Sequence, residues 1–150
     1  MNILPSFFFV GYLPAAPGTW ASLIAALIAW YFPNVLWVGS FVLFLIGFYT
    51  TRLYLVQNPG RKDPAEVVID EVVGQWVALL IAPHSLSWFM AAFSLFRLFD
   101  IWKPFPVSWI DRLGKREKTS YTLQSFSVMM DDVVAGLMVL GVLQVAQILL

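Results

Sequence analysis

Five apolar runs alternate along the chain with short segments that are rich in proline, glycine or charge. A helix rises about 1.5 Å per residue and needs about 20 residues to cross the hydrocarbon core of a bilayer. The second, fourth and fifth runs approach this length, whereas the first and third are shorter. The pattern predicts membrane-spanning helices, and the runs cover residues 19–32, 35–56, 72–82, 86–102 and 133–150.

The composition supports a membrane protein. Of the 150 residues, 60% are hydrophobic and 12% are charged, whereas about a quarter of the residues in a soluble domain are charged. We expect one membrane domain over residues 1–150. The formal net charge is zero and the basic residues form no long tail, which argues against a nucleic-acid partner. Cysteine is absent, so thiolate nucleophiles and cysteine metal sites are excluded.

The third apolar run can be extended towards the N-terminus. The sequence DPAE at 63–66 has the acid, proline and glutamate spacing of a capped helix start. It predicts a helix over residues 64–82, ended by Pro83. The adjacent acids Asp70 and Glu71 would then lie in the first two turns, away from the bilayer centre, where an isolated charge costs about 3 kcal/mol or more.

Lysine and arginine are unevenly distributed among the connecting segments. Segments 52–62 and 103–118 hold three and five basic residues, whereas 33–35 and 82–87 hold none. Because cytoplasmic loops of membrane proteins are rich in basic residues, the two basic segments are predicted to be cytoplasmic. The predicted fold is an all-α integral membrane bundle of four or five transmembrane helices, with five if the short first run spans.

Five carboxylates are predicted to meet at the cytoplasmic helix ends. They come from three helices, and one pair is expected to open the fifth helix. Oxygen ligands at this density suit Mg²⁺, which can share its remaining positions with a substrate phosphate. The alternative is that acids in a first helical turn interact with the helix dipole. The five residues are Asp70, Glu71, Asp100, Asp131 and Asp132.

A glycine follows an acid after four residues in both of the helices that carry an acid pair. The two spacings are Asp70 to Gly74 and Asp132 to Gly136. Residues four apart share a helix face, so each glycine would let a neighbouring backbone or a ligand approach beside the acid. Chance similarity between two valine-rich helices is the alternative, and we infer no internal repeat.

The fourth run ends in FRLFDIWKPFP at 96–106, where Pro104 is expected to stop the helix. Arg97, Asp100 and Lys103 are three residues apart and would form one charged stripe. Arginine and lysine are suited to a phosphomonoester dianion. The alternative is a structural Arg97–Asp100 pair, with Lys103 extending to the lipid headgroups.

The segment PAAPGT at 14–19 precedes the first apolar run. Thr19 is a candidate N-cap, and the free N–H groups of a helix N-terminus can bind an anion. Gly18 and Thr19 are therefore candidate phosphate-binding residues. Turn formation alone would also explain the composition of this segment.

Several segments together resemble one family. The chain is similar to the phosphatidylglycerophosphatase A family, and the segments that carry the resemblance are APGT at 16–19, DP at 63–64, VVIDEVVG at 67–74, FRLFDIWKPFP at 96–106 and MMDDVVAG at 129–136. The resemblance implies a Mg²⁺-dependent enzyme of the bacterial inner membrane. It would remove the terminal phosphate of phosphatidylglycerophosphate and leave phosphatidylglycerol and inorganic phosphate. One departure is that residues 115–128, expected to form a loop, contain no glycine.

These observations combine into one hypothesis about the site. The acid pairs Asp70/Glu71 and Asp131/Asp132 would hold Mg²⁺, with Asp100 as a further catalytic acid. Arg97 and Lys103 would bind the substrate phosphate, with help from Gly18 and Thr19. A cation carrier or channel subunit is the main rival from another class, because acids within spans also mark ion pathways. It predicts acids spread through the membrane depth rather than gathered at one face.

Overall fold

The computed structural model describes residues 3–150, and this part of the chain is helical, without strands. Short 3-10 turns at Val10–Tyr12 and Pro33–Val35 accompany the helices. The all-helical prediction is therefore confirmed. The six α-helices of the described residues are α1 (Pro17–Tyr31), α2 (Leu36–Gln57), α3 (Ile69–Leu79), α4 (Leu86–Trp102), α5 (Val107–Lys115) and α6 (Tyr121–Leu149).

Helix α3 lies at the centre of the bundle. It has 11 residues, of which all but Glu71 are buried, so it is only about 16 Å long. It packs most extensively against α6 and is also covered by α1, α2 and α4. Three alanines of α1, at 21, 25 and 29, are fully buried, which lets α1 lie close to its neighbours. The other helices therefore shield α3 from the surroundings.

Helices α3 and α6 approach each other at two glycines. A Cβ atom added to Gly74 would lie 2.6 Å from the backbone oxygen of Asp132, and one added to Gly136 would collide with the backbone oxygen of Gly74. The two backbones are thus in direct contact. The prediction that glycines beside the acids allow close approach is confirmed, and the contact brings Asp132 towards the start of α3.

The ends of the bundle differ in charge. At one end His84 hydrogen-bonds the backbone oxygen of Trp30 at 2.9 Å and stacks on its ring, which joins the two uncharged connections. At the other end Lys62 Nζ donates to the backbone oxygen of Lys115 at 2.8 Å, which joins the two basic segments. The expected segregation of basic connections is therefore present in the fold.

Helix α5, which packs along the first turns of α6, was not predicted from the sequence. Val107 and Gly114 of α5 are buried, and the Gly114 N–H donates to Ser127 Oγ at 3.0 Å. The expected loop over 115–128 is wrong, because α6 already begins at Tyr121. The expectation that Asp131 and Asp132 open a helix is wrong for the same reason: they lie about 15 Å along α6.

Two expected helix starts are also wrong. Helix α3 begins at Ile69 rather than at residue 64, because the backbone oxygen of Pro5 accepts hydrogen bonds from the N–H groups of Val68 and Ile69. Asp63 instead pairs with Lys115 at 2.9 Å.

In α1 the helix starts at Pro17, so Thr19 is its third residue and not its N-cap. The N-cap is Ala16, whose backbone oxygen accepts the Thr19 N–H at 2.9 Å. The N-cap of α1 therefore lies three residues earlier than expected.

Within residues 3–150, two segments are long and apolar enough to cross a membrane, Pro33–Gln57 and Tyr121–Leu149. Both also carry exposed apolar side chains, such as Val38 in α2 and Val145 in α6. Helices α1 and α4, with 15 and 17 residues, are shorter. These features favour a membrane protein.

The glycine contact makes a testable prediction. Gly74→Ala and Gly136→Ala should each destabilise the purified protein by about 1–3 kcal/mol, because the added methyl group forces α3 and α6 apart. Gly141→Ala is the matched control, since nothing lies within 4 Å of a Cβ added there. Thermal unfolding in detergent measures the difference. Equal stability of all three variants would contradict the contact.

Candidate active site

Three carboxylates gather where α3 and α6 touch. Oxygen atoms of Asp70, Glu71 and Asp132 all lie within 4.8 Å of one another. Asp70 and Asp132 are buried, and each of the three side chains has a buried oxygen without a hydrogen-bond partner in the described part of the chain. We call these residues the carboxylate triad.

The carboxylate triad fits a metal ion. Buried carboxylates without a partner are strongly unfavourable, so such groups are normally compensated by a cation or by protonation. Carboxylate oxygens are the ligands that Mg²⁺ prefers, usually one or two of them together with water and phosphate. Within residues 3–150 the triad is the single group of three or more acids or histidines close enough to share an ion.

Arg97 lies beside the carboxylate triad. Its Nη1 atom is 2.5 Å from Asp100 Oδ2 and 3.5 Å from Ser22 Oγ, and Glu71 lies within its electrostatic reach. Its buried Nε has no partner among the described residues. Asp100 in turn lies close enough to Asp132 for the two carboxylates to influence each other electrostatically. Arg97 is therefore held by one acid while it keeps a donor for a further anion.

The N-terminus of α1 closes the site from another side. A Cβ atom added to Gly18 would collide with Glu71 Oε1 and lie 3.2 Å from Arg97 Nη1. Only glycine lets the α1 backbone come this close. The structure therefore brings Gly18 to the site, and Thr19 follows it in the first turn of the helix.

Lys103 and Asp131 form a separate ion pair. Lys103 Nζ donates to Asp131 Oδ2 and also to Asp111 Oδ1, the latter at 3.0 Å. Burial alone would lower the pKa of Lys103, but the nearby carboxylates of Asp131, Asp132 and Asp111 together outweigh burial and raise that pKa above its ordinary value. Lys103 is thus positively charged at neutral pH. Asp131 has a counter-ion that the carboxylate triad lacks.

Two features of the site were missed by sequence reasoning. Asp111 of α5 binds both Lys103 and Lys115, and it ties α5 to the site. Gln75 is fully buried, and neither polar atom of its amide has a partner in the part of the chain described. It lies four residues after Glu71, on the same face of α3, and that spacing is the signal that could have drawn attention to it.

The fold and the site together define a class of protein: a helical, membrane-type protein with buried carboxylates and an arginine suited to phosphoryl chemistry. A family model for phosphatidylglycerophosphatase A matches residues 3–147. The chain belongs to the phosphatidylglycerophosphatase A family of phosphatases, and the resemblance read from the sequence motifs is confirmed.

Named relatives cover most of the chain. It is 35% identical to phosphatidylglycerophosphatase A of Haemophilus influenzae over 142 residues, 91% of this chain and 82% of that protein. The Escherichia coli protein of the same name is 35% identical over 139 residues, 89% of this chain and 75% of its own. A Bacteroides thetaiotaomicron protein, provisionally named a phosphatidylinositol-3-phosphatase, is 38% identical over 136 residues, 84% of this chain and 80% of its own. No solved structure matches the chain.

Gly18 provides a test of the site geometry. Gly18→Ala should lower phosphatase activity at least tenfold, because the added methyl group displaces the Glu71 carboxylate or the α1 backbone. The global fold should persist, since the clash involves a movable side chain. Activity and thermal stability, measured beside Gly141→Ala, separate the two effects. Undiminished activity would mean that Glu71 and α1 do not meet in the working enzyme.

Proposed function

We propose that the protein hydrolyses the terminal phosphomonoester of phosphatidylglycerophosphate and releases phosphatidylglycerol and inorganic phosphate. The choice of this reaction rests on the membership of the chain in the family. The carboxylate triad beside Arg97 is the structural observation that supports it, because phosphoryl transfer depends on positioning and charge stabilisation. The rival cation carrier is not favoured, since the acids gather in one place rather than along a path.

The proposed cofactor is Mg²⁺, held by Asp70, Glu71 and Asp132. A bound Mg²⁺ would supply positive charge for the phosphoryl oxygens and acidify a coordinated water. The chain's own contribution is to hold three buried oxygens without partners in a fixed arrangement. Asp131 was predicted as a fourth metal ligand; its pairing with Lys103 favours a supporting role.

Arg97 is the proposed phosphate ligand. Asp100 fixes one edge of its guanidinium group at 2.5 Å, which leaves the Nε donor for a phosphate oxygen. A planar guanidinium held in this way loses little freedom when it binds an anion. Gly18 and Thr19 would border the phosphate at the start of α1. Lys103 stays a predicted ligand of the phosphate, and its ion pairs with Asp131 and Asp111 would hold it in position.

We further propose that α1, α2, α4 and α6 cross the bacterial inner membrane, that the chain crosses once more through α3 and the non-helical segments on either side of it, and that the site lies on the cytoplasmic side. Helix α3 is about 16 Å long, so alone it cannot cross a core of about 30 Å. Non-helical backbone next to it is tolerated at membrane depth because protein covers it. The first turns of α6 and the whole of α5 would then lie at headgroup level.

The substrate is tested with purified protein and a panel of phosphomonoesters. Phosphate release should be fastest from phosphatidylglycerophosphate, slower from phosphatidylinositol 3-phosphate and slowest from soluble glycerol 3-phosphate. The second lipid is included because a relative that is 38% identical carries the corresponding name. A preference for the phosphoinositide would change the assigned headgroup, and equal rates with the soluble ester would refute a lipid substrate.

The metal and its ligands are tested by variants of the carboxylate triad. Asp70→Asn, Glu71→Gln and Asp132→Asn should each lower the rate at least a hundredfold and weaken binding of Mn²⁺, a spectroscopic substitute for Mg²⁺. Glu117→Gln, at an exposed acid, should change neither. Chelation should abolish activity, and Mg²⁺ should restore it. Full activity in the presence of a chelator would refute the metal.

The orientation can be tested because the chain has no cysteine of its own. Single substitutions Lys118→Cys and His84→Cys place a thiol at opposite ends of the bundle. In intact cells a membrane-impermeant maleimide should label the second thiol and not the first. The reverse pattern would place the site on the outer face of the membrane.

A further inference from the structure

Helix α5 carries a basic pocket that the proposed reaction does not use. A cavity of about 420 Å³ is lined by Trp109, Arg112, Lys115 and Arg116, which we call the basic pocket. It opens on the outer side of α5, away from the face that packs on α6 through Val107 and Gly114. None of its lining residues belongs to the carboxylate triad.

Two of the three cations in the basic pocket have no acidic partner within residues 3–150. Lys115 is neutralised by Asp63 at 2.9 Å and Asp111 at 2.8 Å. Arg112, in contrast, bonds only Ser108 of its own helix, through Nε to the backbone oxygen at 3.0 Å and through Nη2 to Oγ at 3.5 Å. Arg116 forms no ion pair in this part of the chain. The basic pocket therefore has an excess positive charge.

Exposed aromatic side chains occur in the wall of the basic pocket and in the residues just before α5. Trp109 in its wall is 52% exposed, and Trp102 and Phe105, just before α5, are 72% and 77% exposed. Large aromatic residues at a helix end are typical of the membrane–water interface. A short helix with apolar, aromatic and basic faces is typical of one that lies in the interface plane. The basic pocket would thus lie at the level of the lipid headgroups.

The basic pocket is connected to the active site through α5. Asp111 joins Lys115 to Lys103, and Lys103 binds Asp131, the neighbour of Asp132. Burial would raise the pKa of Asp111, but hydrogen bonds from Lys115 and Lys103 outweigh it and lower that pKa, so the carboxylate is charged at neutral pH. A ligand that fixes α5 would also fix the position of Lys103.

We propose that the basic pocket binds the phosphodiester headgroup of an anionic phospholipid from the cytoplasmic leaflet, as a second lipid site distinct from the active site. Basic pockets on the cytoplasmic side of membrane helices bind such headgroups, and each basic residue near an anionic surface changes the affinity about fivefold. Bound lipid would hold α5 against α6 and raise turnover. The inference goes beyond the proposed reaction and rests on the proposed membrane orientation.

Binding is tested with the full chain in nanodiscs that contain brominated phosphatidylglycerol or brominated phosphatidylcholine. Bromine quenches nearby tryptophan, and comparison with Trp109→Phe isolates the signal of Trp109 among the seven tryptophans. Trp109 should be quenched more by the anionic lipid. The double variant Arg112→Gln/Arg116→Gln should lose that preference, and Arg52→Gln, at a basic residue of the same end, should keep it.

Activity provides the second readout. In phosphatidylcholine the double variant and the unaltered protein should have equal kcat, whereas added phosphatidylglycerol should raise kcat several-fold only in the unaltered protein and in Arg52→Gln. Equal quenching of Trp109 by both lipids would overturn the proposal. So would competition by millimolar inorganic phosphate, which would indicate a site for a free anion. The quenching measurement needs no turnover, so its failure is distinguishable from failure of the proposed reaction.

Discussion

The contact between the backbones of α3 and α6 is the constraint on which the site depends. At Gly74 and Gly136 the helices approach so closely that neither position has room for a methyl group. In a membrane, helix association relies on close packing of this kind, because lipid tails are as apolar as the side chains they would replace. The contact places Asp132 of α6 beside Asp70 and Glu71 of α3. Charges that repel one another are thus held together by packing elsewhere on the same two helices.

The short length of α3 follows from the same arrangement. A helix that carries two acids in its first turn cannot start in hydrocarbon, so its start is covered by protein. The backbone oxygen of Pro5 satisfies the first N–H groups of α3. Glu66, just before the helix, binds Arg61 and the hydroxyl group of Tyr54 instead of capping it. The N-terminal segment and the 58–68 connection therefore act as part of the site's enclosure.

Local patterns predicted the parts of the site that depend on neighbouring residues in sequence. The i, i+4 spacing of acid and glycine predicted the close approach. The Arg97–Asp100 pair that the structure shows was the alternative interpretation of the charged stripe, and both features depend on helix geometry alone. Gly18 was a candidate from its turn sequence, and the structure gives it a contact with Glu71. The predicted helix ends grouped all five acids, and each of them also lies in a segment that carries the family resemblance.

The features that could not be predicted depend on contacts between residues that are far apart in the sequence. Asp63 and Glu66 have the spacing of a helix cap, yet Lys115 and Arg61 bind them instead. Helix α5 is too short and too polar to stand out as an apolar run, since its packing on α6 rests on small residues such as Gly114 and on hydrogen bonds to Ser127. Lys103 was predicted to bind the substrate phosphate, and that stays a prediction. Its ion pairs with Asp131 and Asp111 could not be predicted, because they depend on how α5 packs on α6.

The acids of the site fall into two groups, those that form an ion pair with a basic side chain and those that do not. Of five acids, Asp100 and Asp131 each form an ion pair, with Arg97 and Lys103 respectively. The carboxylate triad forms no ion pair among the described residues, although Glu71 lies close enough to Arg97 for a weaker attraction. A phosphomonoester dianion would be repelled by three uncompensated carboxylates in a medium of low dielectric constant. Arg97 alone cannot offset them, because Asp100 already shares its charge. A divalent cation at the carboxylate triad would offset two of these three negative charges and would present positive charge to the phosphoryl oxygens, and Arg97 Nε, which has no partner among the described residues, would add a donor for the same anion. The paired acids position the cations, and the unpaired acids are the reason for proposing a metal at the carboxylate triad.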